Sequence, residues 1–127
     1  MKSDAFRAAA EGKDFSAIEK LFAEDVTFRS PAVFAPYEGR DTIAMILGTV
    51  VQVFEGFRYT DQVETGDTAV LVFEAKVGDR ELNGVDVLRF DAGGKIVDLM
   101  VMVRPMSGLQ ALAKAMEARF AAATGSG

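Results

Sequence analysis

The chain has no cysteine and no histidine among its 127 residues. Without cysteine there are no disulfides, no thiolate nucleophile and no cysteine metal site. Without histidine there is no Ser-His or Cys-His nucleophile pair, no imidazole general base and almost none of the usual zinc-ligand patterns. Proton handling therefore falls to carboxylates, Tyr, Lys and Arg, and no metal or cofactor is expected. A basic cluster is also missing: 14 Lys and Arg stand against 19 Asp and Glu, and the net charge of −5 opposes a phosphate backbone, so nucleic acid is not an expected partner. The opening residues Met1-Lys2-Ser3-Asp4-Ala5-Phe6 carry no long apolar leader core, and no later run reaches the length of a membrane span. A cytoplasmic protein without a membrane partner is expected.

Apolar material is abundant. Half of the residues are hydrophobic and ten are Phe. A chain of this length makes one ordinary domain, placed at residues 1–123 with a flexible tail at 124–127. The apolar surplus points to an internal cavity, a buried subunit interface, or both, because soluble monomers seldom leave large apolar patches in water.

The periodicity predicts a helix from Ser3 or Asp4 to Ala10, ended by Gly12, and a second helix carrying Phe15, Ile18, Leu21 and Phe22. Val26-Thr27-Phe28 reads as a short strand closed by Ser30-Pro31, and residues 32–39 read as a loop. Asp41 is expected to cap a third helix with an apolar stripe from Ile43 to Phe54, stopped by Gly56. Four strands follow, Phe57 to Val63, Ala69 to Val77, Leu82 to Phe90 and Ile96 to Arg104, and their tight turns imply an antiparallel meander. Beyond Pro105, Ser107 can cap a last amphipathic helix bearing Leu109, Leu112, Met116 and Phe120. The last two strands are apolar on both faces, so helices are expected to cover one side and a second subunit the other.

Asp86 stands out: a carboxylate inside the apolar run Gly84-Val85-Asp86-Val87-Leu88-Arg89-Phe90. Such a group must be paired, solvated in a cavity or protonated. If it faces inward, burial raises its pKa and lets it act as an acid near neutral pH; the alternative is a strand carboxylate paired with Arg89 or Arg104. Phe6, Phe54, Phe90, Met100 and Met102 are candidate cavity walls, Tyr37 and Tyr59 the only phenolic donors, Ser30 a possible inward hydroxyl, and Arg104 a possible anchor for an anionic group. Asp98 shares the strand parity of Arg104 and reads more simply as a surface ion-pair member.

The order of local signals, Gly12-Lys13-Asp14, Ala23-Glu24-Asp25-Val26, Ser30-Pro31, Tyr37-Glu38-Gly39-Arg40 and Gly94-Lys95-Ile96, resembles the nuclear transport factor 2-like superfamily, in its SnoaL-like and ketosteroid-isomerase-like branch. The resemblance implies an α+β fold: a cone-shaped, curved antiparallel sheet packed against N-terminal helices, with a C-terminal helix. It further implies that Asp86 occupies the position of an aspartic acid kept protonated in ketosteroid isomerase to donate to an enolate oxygen. Two other positions depart from that enzyme. Ser30 stands where the resemblance places a general-base Asp, and Phe6 where it places an oxyanion-hole Tyr. Each such group is worth on the order of 10²-fold or more in rate, so the familiar steroid isomerisation is disfavoured.

Asp86 is therefore the one candidate catalytic residue, and the expected partner is a small hydrophobic organic ligand, with a homodimer formed through the convex sheet face. Whether isomerase, cyclase or dehydratase chemistry occurs at Asp86, or the fold serves as a non-catalytic binding or dimerisation scaffold, is left open by the residues. An epoxide-hydrolase reading ranks low, because Val101 and Met102 stand where its second acid would be sought.

Overall fold

The computed structural model describes residues 1–123, so the tail expected at 124–127 lies outside the described residues. Two short helices open the chain, α1 (Asp4–Glu11) and α2 (Phe15–Lys20), followed by β1 (Phe22–Arg29), the two-residue β2 (Tyr37–Glu38) and α3 (Arg40–Val53). The meander is β3 (Glu55–Thr65), β4 (Thr68–Val77), β5 (Arg80–Phe90) and β6 (Ile96–Arg104), and α4 (Met106–Ala123) closes the chain. The six strands form one curved sheet in the order β2-β1-β6-β5-β4-β3, antiparallel throughout except where β1 runs parallel to β6. This is the α+β architecture expected from the sequence.

Local chemistry explains most boundaries. Asp14 caps α2 by accepting the Ala17 N–H at 3.1 Å. The second helix is shorter than its apolar spacing suggested: Phe22 leaves the helix and, fully buried, starts β1. Gly39, at φ 97°, is the N-cap of α3, so Asp41 sits in the first turn instead of capping it. The 32–39 loop was expected to be free of strand, but Tyr37 and Glu38 pair with Phe28 and Thr27 and hold its end against β1.

Strand alternation sets which side of the sheet meets the helices. On β4, Ala69, Leu71, Phe73, Ala75 and Val77 are buried, and on β5 Leu82, Gly84, Asp86, Leu88 and Phe90 are. Directly paired residues in an antiparallel ladder share a face. Asp86 pairs with Leu71 on one side and Val101 on the other, which places Leu99, Val101 and Val103 inward with it and Asp98, Met100, Met102 and Arg104 outward. Between Arg89↔Asp98 and Phe90↔Ile96, Val97 is an extra residue, and this bulge turns Ile96 inward against the alternation expected for it. The outward face keeps Val63, Val70, Val72, Val85 and Val87 beside Met100 and Met102; Val63 is 64% exposed and Met102 50%.

Gly84 has a packing role. A Cβ there would lie 2.1 Å from the Cζ of Phe73, its ladder partner, so only glycine lets that ring lie flat over β5. Gly84→Ala should cost about 1–3 kcal/mol through overpacking, read as a lower urea midpoint at unchanged slope. A variant as stable as the parent would mean the Phe73 ring moves freely.

Candidate functional site

The inner sheet face and the four helices enclose a cavity of about 460 Å³. α1 and α2 contribute Phe6, Ala10 and Ile18, while α3 contributes Ile46, Leu47, Val50 and Val51. The sheet supplies Phe28, Phe57, Tyr59, Phe73, Leu99 and Val101. Across them lies α4 with Leu109, Leu112, Ala113, Met116 and Phe120, and the 31–37 segment adds Pro31, Ala32, Val33 and Tyr37. These walls are almost wholly apolar.

At the buried end a polar pair interrupts them. The Tyr59 hydroxyl donates to Asp86 Oδ2 at 2.6 Å, and both residues are buried, with relative exposures of 4% and 7%. The phenol ring stands in an aromatic box, edge-on to Phe57 at 4.9 Å and to Phe73 at 6.2 Å between centroids, with Phe54 stacked on Phe57 at 5.4 Å. Loss of water drives the electrostatics: burial raises the Asp86 carboxyl from its ordinary 3.8 to about 7, against the opposing pull of the Tyr59 hydrogen bond. Burial, followed by the neighbouring Asp86 charge, raises the Tyr59 phenol well above 10. The arrangement provides a carboxylic acid that is part-protonated at neutral pH beside a phenol that stays protonated.

The main chain of Tyr59 is held from α1. β3 carries an extra residue, Thr60, between Tyr59↔Phe73 and Asp61↔Val72. Glu11 Oε2 accepts the Tyr59 N–H at 3.0 Å, the Arg7 guanidinium donates to the Tyr59 carbonyl at 3.3 Å, and Arg7 and Glu11 are themselves an i,i+4 ion pair. The bulge thus keeps its polar groups satisfied while directing the phenol toward β5.

Among the residues singled out from sequence, Phe6, Ser30, Tyr37, Phe54, Tyr59 and Asp86 all border the cavity. The Ser30 hydroxyl also accepts the Ala32 N–H at 3.1 Å, as a turn residue does, and Tyr37 stacks on Phe28. Five others are placed elsewhere. Met100, Met102 and Arg104 occupy the outer face because Val101, not its neighbours, pairs with Asp86; Arg104 bonds Asn83 Oδ1 at 2.9 Å, too remote in orientation to anchor a ligand or pair with Asp86. Phe90, two residues beyond Leu88, lies in the core away from the cavity lining, with the Lys2 ammonium 5.9 Å from its ring centre. Asp98 faces outward and meets Arg29 at 3.2 Å. Phe57, Phe73, Lys13 and the α4 residues Leu109, Leu112, Ala113 and Phe120 were missed by sequence reasoning. For Phe73, the alternating pattern of β4 was the available signal.

Among the described residues, no group of three or more His, Cys, Asp or Glu is gathered to hold a metal ion, and no helix is long and apolar enough to cross a membrane.

The SnoaL-like domain model matches residues 4–99, and the chain belongs to the SnoaL-like family. It is similar to the structure of a steroid delta-isomerase from Pseudomonas aeruginosa, with 44% identity and a TM-score of 0.93 over 98% of this chain and 92% of that one. It is also similar to an uncharacterized bacterial protein with a cystatin-like fold from Silicibacter pomeroyi, at 38% identity and a TM-score of 0.89 over 93% and 84%. An NTF2-like protein of unknown function from Cytophaga hutchinsonii shares the fold at 20% identity and a TM-score of 0.67 over 84% and 93%. No curated protein matches the chain.

The raised Asp86 pKa makes stability depend on pH. The folded state binds its proton at higher pH than the unfolded state, so stability present below about 4 is lost as pH rises to about 7 and stays lost above it. The climb from 3.8 to about 7 corresponds to about 4 kcal/mol. Asp86→Asn should flatten that part of the curve, measured as urea midpoints across the range. A variant that loses stability with pH as steeply as the parent would assign the effect to another group.

Proposed function

We propose that this protein binds a small hydrophobic organic molecule in the cavity, with Asp86 and Tyr59 meeting a carbonyl or similar acceptor oxygen at its buried end. The Tyr59–Asp86 hydrogen bond in an apolar enclosure carries this reading. With Oδ2 engaged by the phenol, a proton on the acid belongs on Oδ1, where it is free to be donated to a ligand. In acid-assisted isomerase, cyclase or dehydratase chemistry, that donation would stabilise negative charge developing on the ligand oxygen. Carbon-to-carbon proton transfer also needs a base. Ser30 occupies the place where the resemblance would put it, so binding is better supported than any one reaction.

The Pseudomonas relative is a steroid delta-isomerase, which puts polycyclic enones first among ligands to test. A bound ligand at a hundred times its Kd should stabilise the fold by about 2.7 kcal/mol. Affinity for a polycyclic ketone should fall as pH rises through about 7, as Asp86 loses the proton it donates. Asp86→Asn should bind about three- to tenfold more weakly below that pH and show a flat profile. Unchanged affinity and pH profile in Asp86→Asn would remove the acid from the site, and a panel of ketones, epoxides and esters that neither bind nor turn over would leave the scaffold reading. Turnover surviving Asp86→Asn would place the chemistry elsewhere.

We also propose a homodimer through the outer sheet face, supported by the contiguous Val70, Val72, Val85, Val87, Met100 and Met102 surface. Light scattering should return twice the 13.6 kDa of the chain, and Met102→Glu should halve it. A monomer at micromolar concentration would contradict the proposal.

A further inference from the structure

Two charged side chains besides Asp86 border the cavity, Lys13 and Glu117. Lys13 is exposed, so it marks where the cavity meets water, whereas Asp86 marks the buried end. Its position is specifically built. Asp14 N–H bonds the Ala9 carbonyl and Lys13 N–H the Ala10 carbonyl, closing α1 in the manner that normally places glycine in the left-handed position. Here Gly12 keeps an ordinary φ of −83°, and Lys13 takes φ 53°, a conformation unfavourable for a residue with a Cβ. The ammonium is then fixed by donating to the Phe54 carbonyl at 2.9 Å, across from α1 where α3 gives way to β3. It meets no carboxylate within ion-pair distance among the described residues. A strained backbone, a tethered cation and an apolar cavity behind it occur together, and strain of this kind concentrates at functional positions.

We propose that Lys13 anchors the anionic group of an amphipathic ligand, so that the cavity takes hydrophobic organic acids whose apolar body fills the interior. The inference rests on the proposal that the cavity holds a small hydrophobic molecule, and it adds the ligand's charge. The anchor that Arg104 supplies on paper is thus supplied by Lys13 in space. One ammonium hydrogen is used by the Phe54 carbonyl and two remain for a carboxylate, sulfonate or phosphate. Glu117 does not offset it as a tethered partner would, since it is exposed on α4 and makes no hydrogen bond or ion pair among the described residues.

The test uses pyrenebutyric acid and its methyl ester, which share the ring system and differ in charge, titrated at one neutral pH by pyrene fluorescence. The acid should bind about tenfold more tightly than the ester to the parent protein. Lys13→Gly removes the ammonium while relieving the left-handed backbone, and Lys13→Met keeps an apolar stem; both should bind acid and ester equally, with ester affinity held within about twofold of the parent. Equal affinities in the parent would overturn the anchor and leave the hydrophobic-ligand reading standing. An acid preference that survives in both variants would overturn it by assigning the anion to another group. Failure of both probes to bind would overturn the hydrophobic-ligand reading itself, and the anchor with it.

Discussion

The fold is organised around keeping one ionisable pair out of water. A carboxylate in an apolar enclosure is costly, and a single 2.6 Å hydrogen bond from Tyr59 offsets only part of that cost, which is why the Asp86 proton is held up to about 7. Geometry leaves the carboxyl no exit. Asp86 falls on the inward parity of β5 between Gly84 and Leu88, and turning it outward would require a one-residue slip that exposes Leu82, Leu88 and Phe90 together. The burial of three apolar side chains therefore outweighs the burial of one acid.

The rest of the structure supports that pair in successive layers. Gly84 gives Phe73 room to lie across β5, Phe73 and Phe57 confine the Tyr59 ring, and Arg7 and Glu11 of α1 satisfy the main chain of Tyr59 at its bulge. α1 is in turn fastened at its start, where the buried Ser3 donates to Glu64 at 2.8 Å and accepts from Gln62 at 2.8 Å. A helix outside the sheet thus positions a phenol inside it. The support acts through backbone groups, so side-chain identity at Arg7 and Glu11 matters for the site although neither lines the cavity.

The sequence makes the elements readable where periodicity is strong, as in the meander and α3, and it makes Asp86 conspicuous because a carboxylate breaks an apolar strand. It does not carry the pairing of Tyr59 with Asp86. That depends on register across an intervening strand and on the Thr60 bulge, which alternation along one strand cannot reveal. The same limit explains Met100 and Met102. Both faces of β6 are apolar, so composition gives no reason to prefer one, and the choice is made by Val101 lying opposite Asp86. Lys13 was hidden for a different reason: Gly12 beside it is the residue that chain statistics assign to a helix end, and the left-handed position falls one residue later.

The departures at Ser30 and Phe6 take on a sharper meaning in this geometry. Phe6 borders the cavity as an apolar wall, so the phenolic donor near Asp86 comes from β3 instead of the first helix. A hydrogen-bonding end therefore persists, with its donor drawn from a different element. Among the described residues no second carboxyl group takes the place of the base at that depth: the ionisable groups bordering the cavity besides the pair are Tyr37, Lys13 and Glu117. Lys13 is tethered to the Phe54 carbonyl at the mouth, and Glu117 is exposed on α4. Full charge is thus placed at the rim, and a part-protonated acid beside a neutral phenol at the depth, an order suited to orienting a ligand with two unlike ends. Recognition of such a ligand needs only the groups present, whereas moving a proton between its carbons with a separate acid and base needs two such groups, and among the described residues Asp86 is the one carboxyl at that depth.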